Sequence, residues 1–350
     1  MRIAVIAPLA ESVPPSRYGG TERVVSYLVE ELVRRGLEVT LYASGDSRTS
    51  ARLVACCRRA LRLDEAVRDP TPHMAAMLAR VRREAHRYDL LHFHTDYLQF
   101  PIFADQLEQT LTTLHGRLDL PDLPVIFRAY PHAPLVSVSD AQRRPFARLQ
   151  LDWRATVHHG LPIDLYRPAY GPGEHLLFLG RISPEKRPDR AIRIARAAGL
   201  PLLVAAKVDA ADRTYHEREI APLLRSEGVP FSGEVDDREK ETLLQNARAL
   251  LFPIDWPEPF GLVMIEAMAC GTPVIAWRHG SVPEVIEEGV TGFVVESEAE
   301  AVEAVERCRS LDRQRIRARF EARFTAERMA ADYLAVYERL LGETRLARAA

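Results

Sequence analysis

IAVIAP at residues 3–8 and TERVVSYLVEELVRRGLEVTLYA at residues 21–43 decide the fold class of this 350-residue chain. The runs Ile3–Pro8 and Glu38–Ala43 are short and apolar, which predicts two buried β-strands. Between them apolar residues recur at helical spacing, and Gly36 is a typical helix stop. Together they form a β-α-β unit, which predicts a parallel sheet.

The same alternation of apolar runs and helical periodicity continues along the rest of the chain, which predicts an α/β protein with parallel sheets. Further strands of the first half are predicted at Asp89–His94, Thr110–Leu114, Leu135–Ser139 and Ala155–His158. Strands of the second half are predicted at His175–Leu179, Pro201–Ala206, Val229–Gly233, Ala249–Pro253, Pro273–Trp277 and Gly292–Glu296.

A glycine- and proline-rich segment, GLPIDLYRPAYGPG at residues 160–173, divides the two series of strands. Such a segment is typical of a connection between domains. We expect a first Rossmann-like domain over residues 1–165 and a second over residues 174–325. The helical tail over residues 326–350 is expected to cross back to the first domain. Two such domains would face each other across a cleft, where open α/β sheets bind ligands.

Composition excludes several classes of protein. The 47 basic and 49 acidic residues give a net charge of −2, so no global positive field favours nucleic acid. The four cysteines show neither zinc-ligand spacing nor a disulfide framework. No apolar run approaches the ~18 residues of a membrane helix, and the apolar start is too short for a signal peptide. We expect a cytoplasmic protein, with peripheral contact at the inner membrane face left open.

The strongest local signal lies at Pro257–Ala269, PEPFGLVMIEAMA, where an extended turn leads into an apolar helix. Glu258 is expected at the mouth of this helix, and Glu266 about two turns along it, on the same side. The backbone N–H groups that follow Phe260 would form an anion site at the positive end of the helix dipole. The alternative is that Glu258 only satisfies the dipole and that Glu266 is a surface carboxylate.

A second signal follows the first strand of the second domain, where GRISPEK at residues 180–186 leads into a helix near Pro188. Arg181 offers a planar fork and Lys186 a point charge, which suits a diphosphate. The segment lacks the spacing of a Walker loop, and a solvated loop arginine is the alternative for Arg181. Lys186 is one of only three lysines beside 44 arginines, which favours a functional role.

In the first domain, Gly19 and Gly20 would let a ligand approach the backbone, and Thr21 is expected to cap the following helix. A turn needed only for topology is equally compatible with these glycines. The absence of G-x-G-x-x-G disfavours a nicotinamide dinucleotide. His94 and His115 each end a strand, and His115 is the better candidate for a ligand contact because Gly116 follows it.

Taken in order, these motifs resemble the retaining glycosyltransferases of family 4, which have the GT-B fold. The segments that carry the resemblance are GGTERV at 19–24, TLHG at 113–116, VSVSD at 136–140, HHGLPIDLYRP at 158–168, GRISPEK at 180–186, EPFGLVMIEAMACGTPVIA at 258–276 and GSVPEVI at 280–286. The E-x₇-E element is the most specific of them. The chain departs from the family pattern at His159, where asparagine is usual, and at His279, where glycine is common.

The resemblance implies transfer of a sugar from a nucleotide-diphosphate donor, UDP- or GDP-linked, to a hydroxyl acceptor on a lipid-linked molecule or a glycan. It implies retention of configuration and no obligatory metal or other cofactor, and the sequence has no Asp-x-Asp element. Acceptor contacts would come from segments 10–17, 94–101 and 116–134. A nucleotide-sugar epimerase of the same fold and an inactive nucleotide-sugar-binding protein are the alternatives.

The resemblance also implies site residues. Arg181 and Lys186 would stabilise the departing diphosphate, Glu258 and His115 would contact the donor sugar, and Glu266 would accept from the ribose hydroxyls. The remaining donor contacts would be Gly19 and Gly20, Glu234 and Val235 near the base, and the backbone of Phe260, Gly261, Leu262 and Val263.

Overall fold

The computed structural model describes residues 1–16 and 19–349, with side chains up to residue 343. The chain divides into two compact units. One comprises Met1–Gly160 and the C-terminal segment from Ala326, and the other comprises Leu161–Thr325. Each contains one parallel β-sheet flanked by helices.

The first unit has a seven-stranded parallel sheet with the strand order β3-β2-β1-β4-β5-β6-β7. Its strands are β1 (Arg2–Ile6), β2 (Glu38–Ser44), β3 (Arg52–Cys57), β4 (Leu90–Phe93), β5 (Thr110–Thr113), β6 (Leu135–Ser137) and β7 (Trp153–Thr156). Its helices are Gly20–Arg34, Thr71–Glu84, Leu123–Ala129, Asp140–Arg143 and Ala326–Ala349. Six of these strands confirm predicted ones with bounds shifted by up to two residues. The strand β3 was not predicted, although residues 53–57 are apolar; it is an edge strand and only partly buried.

The helix Gly20–Arg34 connects β1 to β2, as the opening β-α-β unit predicts. Its N-cap is Gly19, with φ of 155°, and no side chain caps it. Thr21 lies inside the first turn, so the prediction that Thr21 caps the helix is wrong. A Cβ at position 19 would lie 2.8 Å from Pro15, so the close backbone turn before the helix requires glycine there.

The C-terminal helix Ala326–Ala349 belongs to the first unit and packs against the helix Gly20–Arg34. Tyr333 and Tyr337 are fully buried on its inner side. Their hydroxyls form hydrogen bonds with Thr113 at 2.9 Å and with His92 at 2.8 Å. Since buried hydroxyls need partners, these bonds fix the rotation of the helix on the sheet.

The second unit has a five-stranded parallel sheet with the order β12-β11-β10-β8-β9. Its strands are β8 (His175–Arg181), β9 (Leu202–Lys207), β10 (Ala247–Phe252), β11 (Val274–Trp277) and β12 (Gly292–Val295). Its α-helices are Pro188–Ala198, Arg213–Tyr215, Ala221–Ser226, Asp237–Asn246, Leu262–Ala269, Val282–Val285, Glu298–Arg307 and Arg313–Arg323, and a π-helical turn spans His216–Ile220.

The predicted strand Val229–Gly233 is wrong. Only Phe231 forms an isolated bridge there, to Val204 of β9. Pro230 has no N–H group, so it offers only its carbonyl to the neighbouring strand and the ladder stops after one residue.

The strand order reverses once in each sheet, between β1 and β4 and between β8 and β10. At such a switch point the loops after the two strands diverge, which leaves a crevice at the carboxyl ends of the strands. The residues that follow β1, β4, β8 and β10 are therefore the candidates for ligand contacts. No helix among the described residues has the length and apolar character needed to span a membrane.

Candidate active site

Arg181 is the last residue of β8, at the switch point of the second sheet. Its guanidinium pairs with Glu185 at 2.5 Å and with Asp212 at 3.1 Å, and Asp209 lies 3.7 Å away. The alternative of a solvated loop arginine is wrong, since 28% of the side chain is exposed and acids hold it on two sides. Burial raises the pKa of Asp212, and the nearby charges of Glu185 and Asp209 raise it further.

Lys207 ends β9 and is the in-register neighbour of Arg181. Its ammonium lies 2.6 Å from Asp209, so the two cations share this acid. Two neighbouring strands therefore place a positive charge at the same edge of the sheet.

Lys186 and Glu258 form an ion pair across the switch point. Lys186 lies in the segment after β8, and Glu258 lies in the loop after β10. The Lys186 ammonium lies 5.4 Å from the centre of the Phe252 ring and 4.8 Å from that of Trp256. The indole N–H of Trp256 donates to Oε2 of Glu258 at 3.0 Å, the same oxygen that Lys186 contacts. The pair is therefore held from one side by aromatic rings.

Gly280 supports Glu258 from the next loop. It has φ of 54°, and a Cβ there would lie 2.2 Å from the carbonyl oxygen and 2.4 Å from the nitrogen of Glu258. The N–H of Ser281 donates to the same carbonyl at 3.0 Å. Only glycine fits this close approach, so the backbone at position 258 is fixed by its neighbour.

The helix Leu262–Ala269 begins directly after this loop, with Gly261 as its N-cap in a left-handed conformation. Its first hydrogen bond runs from the N–H of Met264 to the carbonyl of Gly261, so the N–H groups of Leu262 and Val263 precede the hydrogen-bonded ladder. Phe260 is buried, at 2% exposure. The expectation that Glu258 precedes a helix mouth is confirmed.

Glu266 lies inside that helix and is 4% exposed, so the alternative that it is a surface carboxylate is wrong. The Lys240 ammonium donates to its Oε1 at 2.7 Å. Lys240 comes from the helix Asp237–Asn246, whose capping box joins Asp236 and Glu239. Glu234 and Val235, the predicted base-binding residues, lie in the loop just before this cap.

The first unit contains a cluster of four histidines at the carboxyl ends of β4 and β5 and after β7, of which His92, His94 and His159 are buried and His115 is half-buried. Nδ1 of His94 lies 2.8 Å from Nε2 of His115, and the ring of His115 stacks on that of His159 with centres 5.2 Å apart. His92 bonds Tyr337 and Thr113, both at 2.8 Å. Burial lowers the pKa of His92 and of His115 to about 3, and also that of His94 and His159 well below the usual value. All four rings are therefore neutral near pH 7.

Gly19, Gly20 and His115 belong to the first unit, and the other predicted site residues belong to the second. Within the second unit the structure brings Lys186 together with Glu258, whereas Arg181 pairs with a separate set of acids. Arg17 and Tyr18, which lie beside the predicted glycine turn, are outside the described residues.

Sequence reasoning missed several residues of this site, namely Trp256, Gly280, Lys207, Lys240, and the acids Glu185, Asp209 and Asp212. The scarcity of lysine is a signal that could have found two of them. All three lysines lie in the second unit, and each contacts a carboxylate. Among the described residues, no group of three His, Cys, Asp or Glu side chains is placed to hold a metal ion.

Comparison with solved structures identifies the fold. The glycosyltransferase AviGT4 of avilamycin A biosynthesis aligns with a TM-score of 0.73 and 22% identity, over 97% of this chain and 98% of that one. Sucrose-phosphate synthase from Thermosynechococcus elongatus aligns with a TM-score of 0.76 and 21% identity, over 98% of this chain and 99% of that one. Anabaena HepE in complex with UDP and glucose aligns with a TM-score of 0.73 and 19% identity, over 97% of this chain and 99% of that one. Two Rossmann-like units with this topology define the GT-B class.

Comparison of sequences identifies the family. The profile "Glycosyltransferase Family 4" matches residues 18–164 and the profile "Glycosyl transferases group 1" matches residues 168–323, so the chain belongs to these glycosyltransferases. D-inositol 3-phosphate glycosyltransferase of Mycobacterium tuberculosis is 32% identical over 216 residues, 53% of this chain and 44% of that protein, and the Mycobacterium bovis protein gives the same values. The chain thus matches less than half the length of these curated relatives.

Proposed function

We propose that this protein transfers a sugar from a UDP- or GDP-sugar to a hydroxyl acceptor, with retention of configuration and without a metal ion. The observation that carries the proposal is the largely buried ion pair of Lys186 and Glu258, whose side chains are 15% and 11% exposed, at the switch point of the second sheet, just before the helix Leu262–Ala269. The family supports it, as do the named relatives: one is a D-inositol 3-phosphate glycosyltransferase, and the HepE structure is a complex with UDP and glucose.

The charges suit the bond that breaks. When the bond between the anomeric carbon and the diphosphate oxygen lengthens, negative charge grows on the phosphate and positive charge on the sugar. Lys186 and Arg181, with the N–H groups at the start of the helix, would stabilise the departing diphosphate. Glu258 would accept hydrogen bonds from the sugar, and His115, which stays neutral, would donate or accept one without adding charge. The acceptor oxygen would bond to the anomeric carbon on the face that the diphosphate leaves, and its proton would pass to the departing phosphate.

A panel of nucleotide sugars tests the donor class by thermal shift, because a ligand that binds only the folded state raises the melting temperature. Transfer is then measured with the stabilising donor and a set of lipid-linked and glycan hydroxyl acceptors. We expect Lys186→Ala and Glu266→Ala to lose transfer while they remain folded. Wild-type turnover in both variants would contradict the site assignment.

Product analysis separates the remaining activities. Isomerised donor in the absence of acceptor would indicate an epimerase of the same fold. Donor binding without turnover on any acceptor would indicate a binding protein. Analysis of the product's anomeric configuration by NMR tests retention.

A further inference from the structure

The two acids of the E-x₇-E element share one arrangement. Lys186 and the Trp256 indole both contact Oε2 of Glu258, and Lys240 contacts Oε1 of Glu266. The second oxygen of each acid, Oε1 of Glu258 and Oε2 of Glu266, has no hydrogen-bond partner in the part of the chain that the structure describes. Each carboxylate is thus fixed through one oxygen and keeps the other as an acceptor.

Some arginines of this chain occupy both oxygens of an acid. Arg187 bonds both oxygens of Asp189, at 2.9 and 2.8 Å, and Arg117 bonds both oxygens of Asp119, each at 2.6 Å. A guanidinium presents a fork that matches a carboxylate, whereas an ammonium is a compact point charge. In a chain with 44 arginines, the lysine at position 240 neutralises Glu266 through one oxygen and cannot form the two-oxygen fork of a guanidinium.

We propose that Lys240 is a positioning residue of the donor site, which orients Glu266 so that its Oε2 accepts the 2′- and 3′-hydroxyls of a ribonucleoside diphosphate. This inference rests on the proposed function and on the ribose contact of Glu266 that the family resemblance implies. Lys240 would act through Glu266 and so select ribonucleotides over deoxynucleotides.

The surroundings of Lys240 fit this role. The side chains of Lys240 and Glu266 are 13% and 6% exposed, so their charges interact with little screening by water. Asp237 lies 3.5 Å from the ammonium, and the ring of Tyr166 lies 5.9 Å away. The Tyr166 hydroxyl donates to Asp237 at 2.9 Å, so the second acid is held as well. Lys240 therefore has a defined position from which it fixes the Glu266 carboxylate.

The test compares ribonucleotides with their 2′,3′-dideoxy counterparts by isothermal titration calorimetry, with UDP and GDP as the two probes. We expect the wild type to bind the ribonucleotide of its preferred base at least about 10-fold more tightly than the dideoxy form, because hydrogen bonds to a charged acceptor are lost. In Lys240→Met the ratio of the two affinities, ribose over dideoxy, is expected to fall toward one. It also falls in Lys240→Arg, which keeps the charge but occupies both oxygens of Glu266.

The matched control is Lys207→Met, which removes an equally buried lysine from an ion pair with Asp209 in the same unit. It is expected to leave the ribose-to-dideoxy ratio unchanged, even where overall affinity falls. If Lys240 had only a structural role, Lys240→Met would weaken binding of the ribonucleotide and of its dideoxy form equally. A ribose-to-dideoxy affinity ratio that is unchanged in Lys240→Met but lost in Glu266→Gln therefore overturns the proposal. If the wild type binds neither UDP nor GDP, the proposed function fails and this inference fails with it.

A second measurement follows nucleotide binding by the wild type and does not need Lys240→Met. Protein labelled with ¹³C,¹⁵N-lysine has three side-chain Nζ signals, one for each lysine, and that of Lys240 is the one missing in Lys240→Arg. Binding of the preferred ribonucleotide is expected to shift this signal, and the dideoxy form is expected to shift it less. Equal shifts with both nucleotides, or none, would overturn the proposal even if Lys240→Met does not fold.

Discussion

Lowering the pH from 7.5 to 5.5 is expected to destabilise the first unit strongly. Burial lowers the pKa of His92 and His115 to about 3, and it lowers that of His94 and His159 as well. The folded chain keeps these rings neutral, whereas the unfolded chain protonates them below about pH 6.5. The unfolded state therefore binds more protons in this range, and the free energy of unfolding falls as the pH falls.

The size of the effect follows from the two sets of pKa values. Each histidine that stays neutral in the folded state lowers the free energy of unfolding by about 1.4 kcal/mol between pH 7.5 and 5.5. Four such histidines lower it by up to about 5 kcal/mol. Burial raises the pKa of Asp96 and of Glu22, and these acids offset part of the loss, because the folded state takes up their protons first. The net loss is a large fraction of the ~5–15 kcal/mol of a typical domain.

Amide hydrogen exchange with mass spectrometry measures this loss in peptides that cover Leu90–Phe93 and Thr110–Thr113, after correction for the intrinsic pH dependence of exchange. The matched variant is His159→Asn, which removes one of the four rings. Its loss between the two pH values is expected to be smaller than that of the wild type by about 1.4 kcal/mol. Equal opening free energies at pH 7.5 and 5.5 in the wild type, or no difference between the two proteins, would refute the assignment of neutral buried histidines.

Three further outcomes are expected. Lys186→Met should lower kcat by about 100-fold or more with a smaller change in KM, since it removes a charge that acts on the departing diphosphate; an unchanged kcat in steady-state assays would contradict this role. Gly280→Ala should weaken donor binding in calorimetry and lower the melting temperature, because its Cβ would lie 2.2 Å from the backbone of Glu258. The control is Gly289→Ala, which is also at positive φ but has nothing within 4 Å of the added Cβ, and it should leave donor binding unchanged. Transfer should persist after treatment with EDTA and gel filtration, and loss that Mg²⁺ or Mn²⁺ restores would overturn metal independence.

Local sequence features predicted most of the elements. Apolar runs indicated eleven of the twelve strands, because a central parallel strand is buried on both faces and needs continuous apolar residues. The helix start after Gly261 was predictable from the change of periodicity alone. The wrongly predicted strand Val229–Gly233 has a local cause, since Pro230 offers no N–H group to a sheet ladder.

Local sequence patterns could not predict which residues the site residues contact. Lys240 and Glu266 are 26 residues apart, and His92 and Tyr337 are 245 apart. The chain's periodicity shows that each belongs to a helix or strand, but which ends meet depends on the order in which the strands assemble. Arg181 meets Asp209 and Asp212 because β8 and β9 are neighbours in the sheet. The residues themselves thus establish the kinds of elements and the charged groups available, since hydrophobic periodicity acts over a few residues. The tertiary structure alone selects which charges meet, because ion pairs form between groups that are close in space regardless of their separation along the chain.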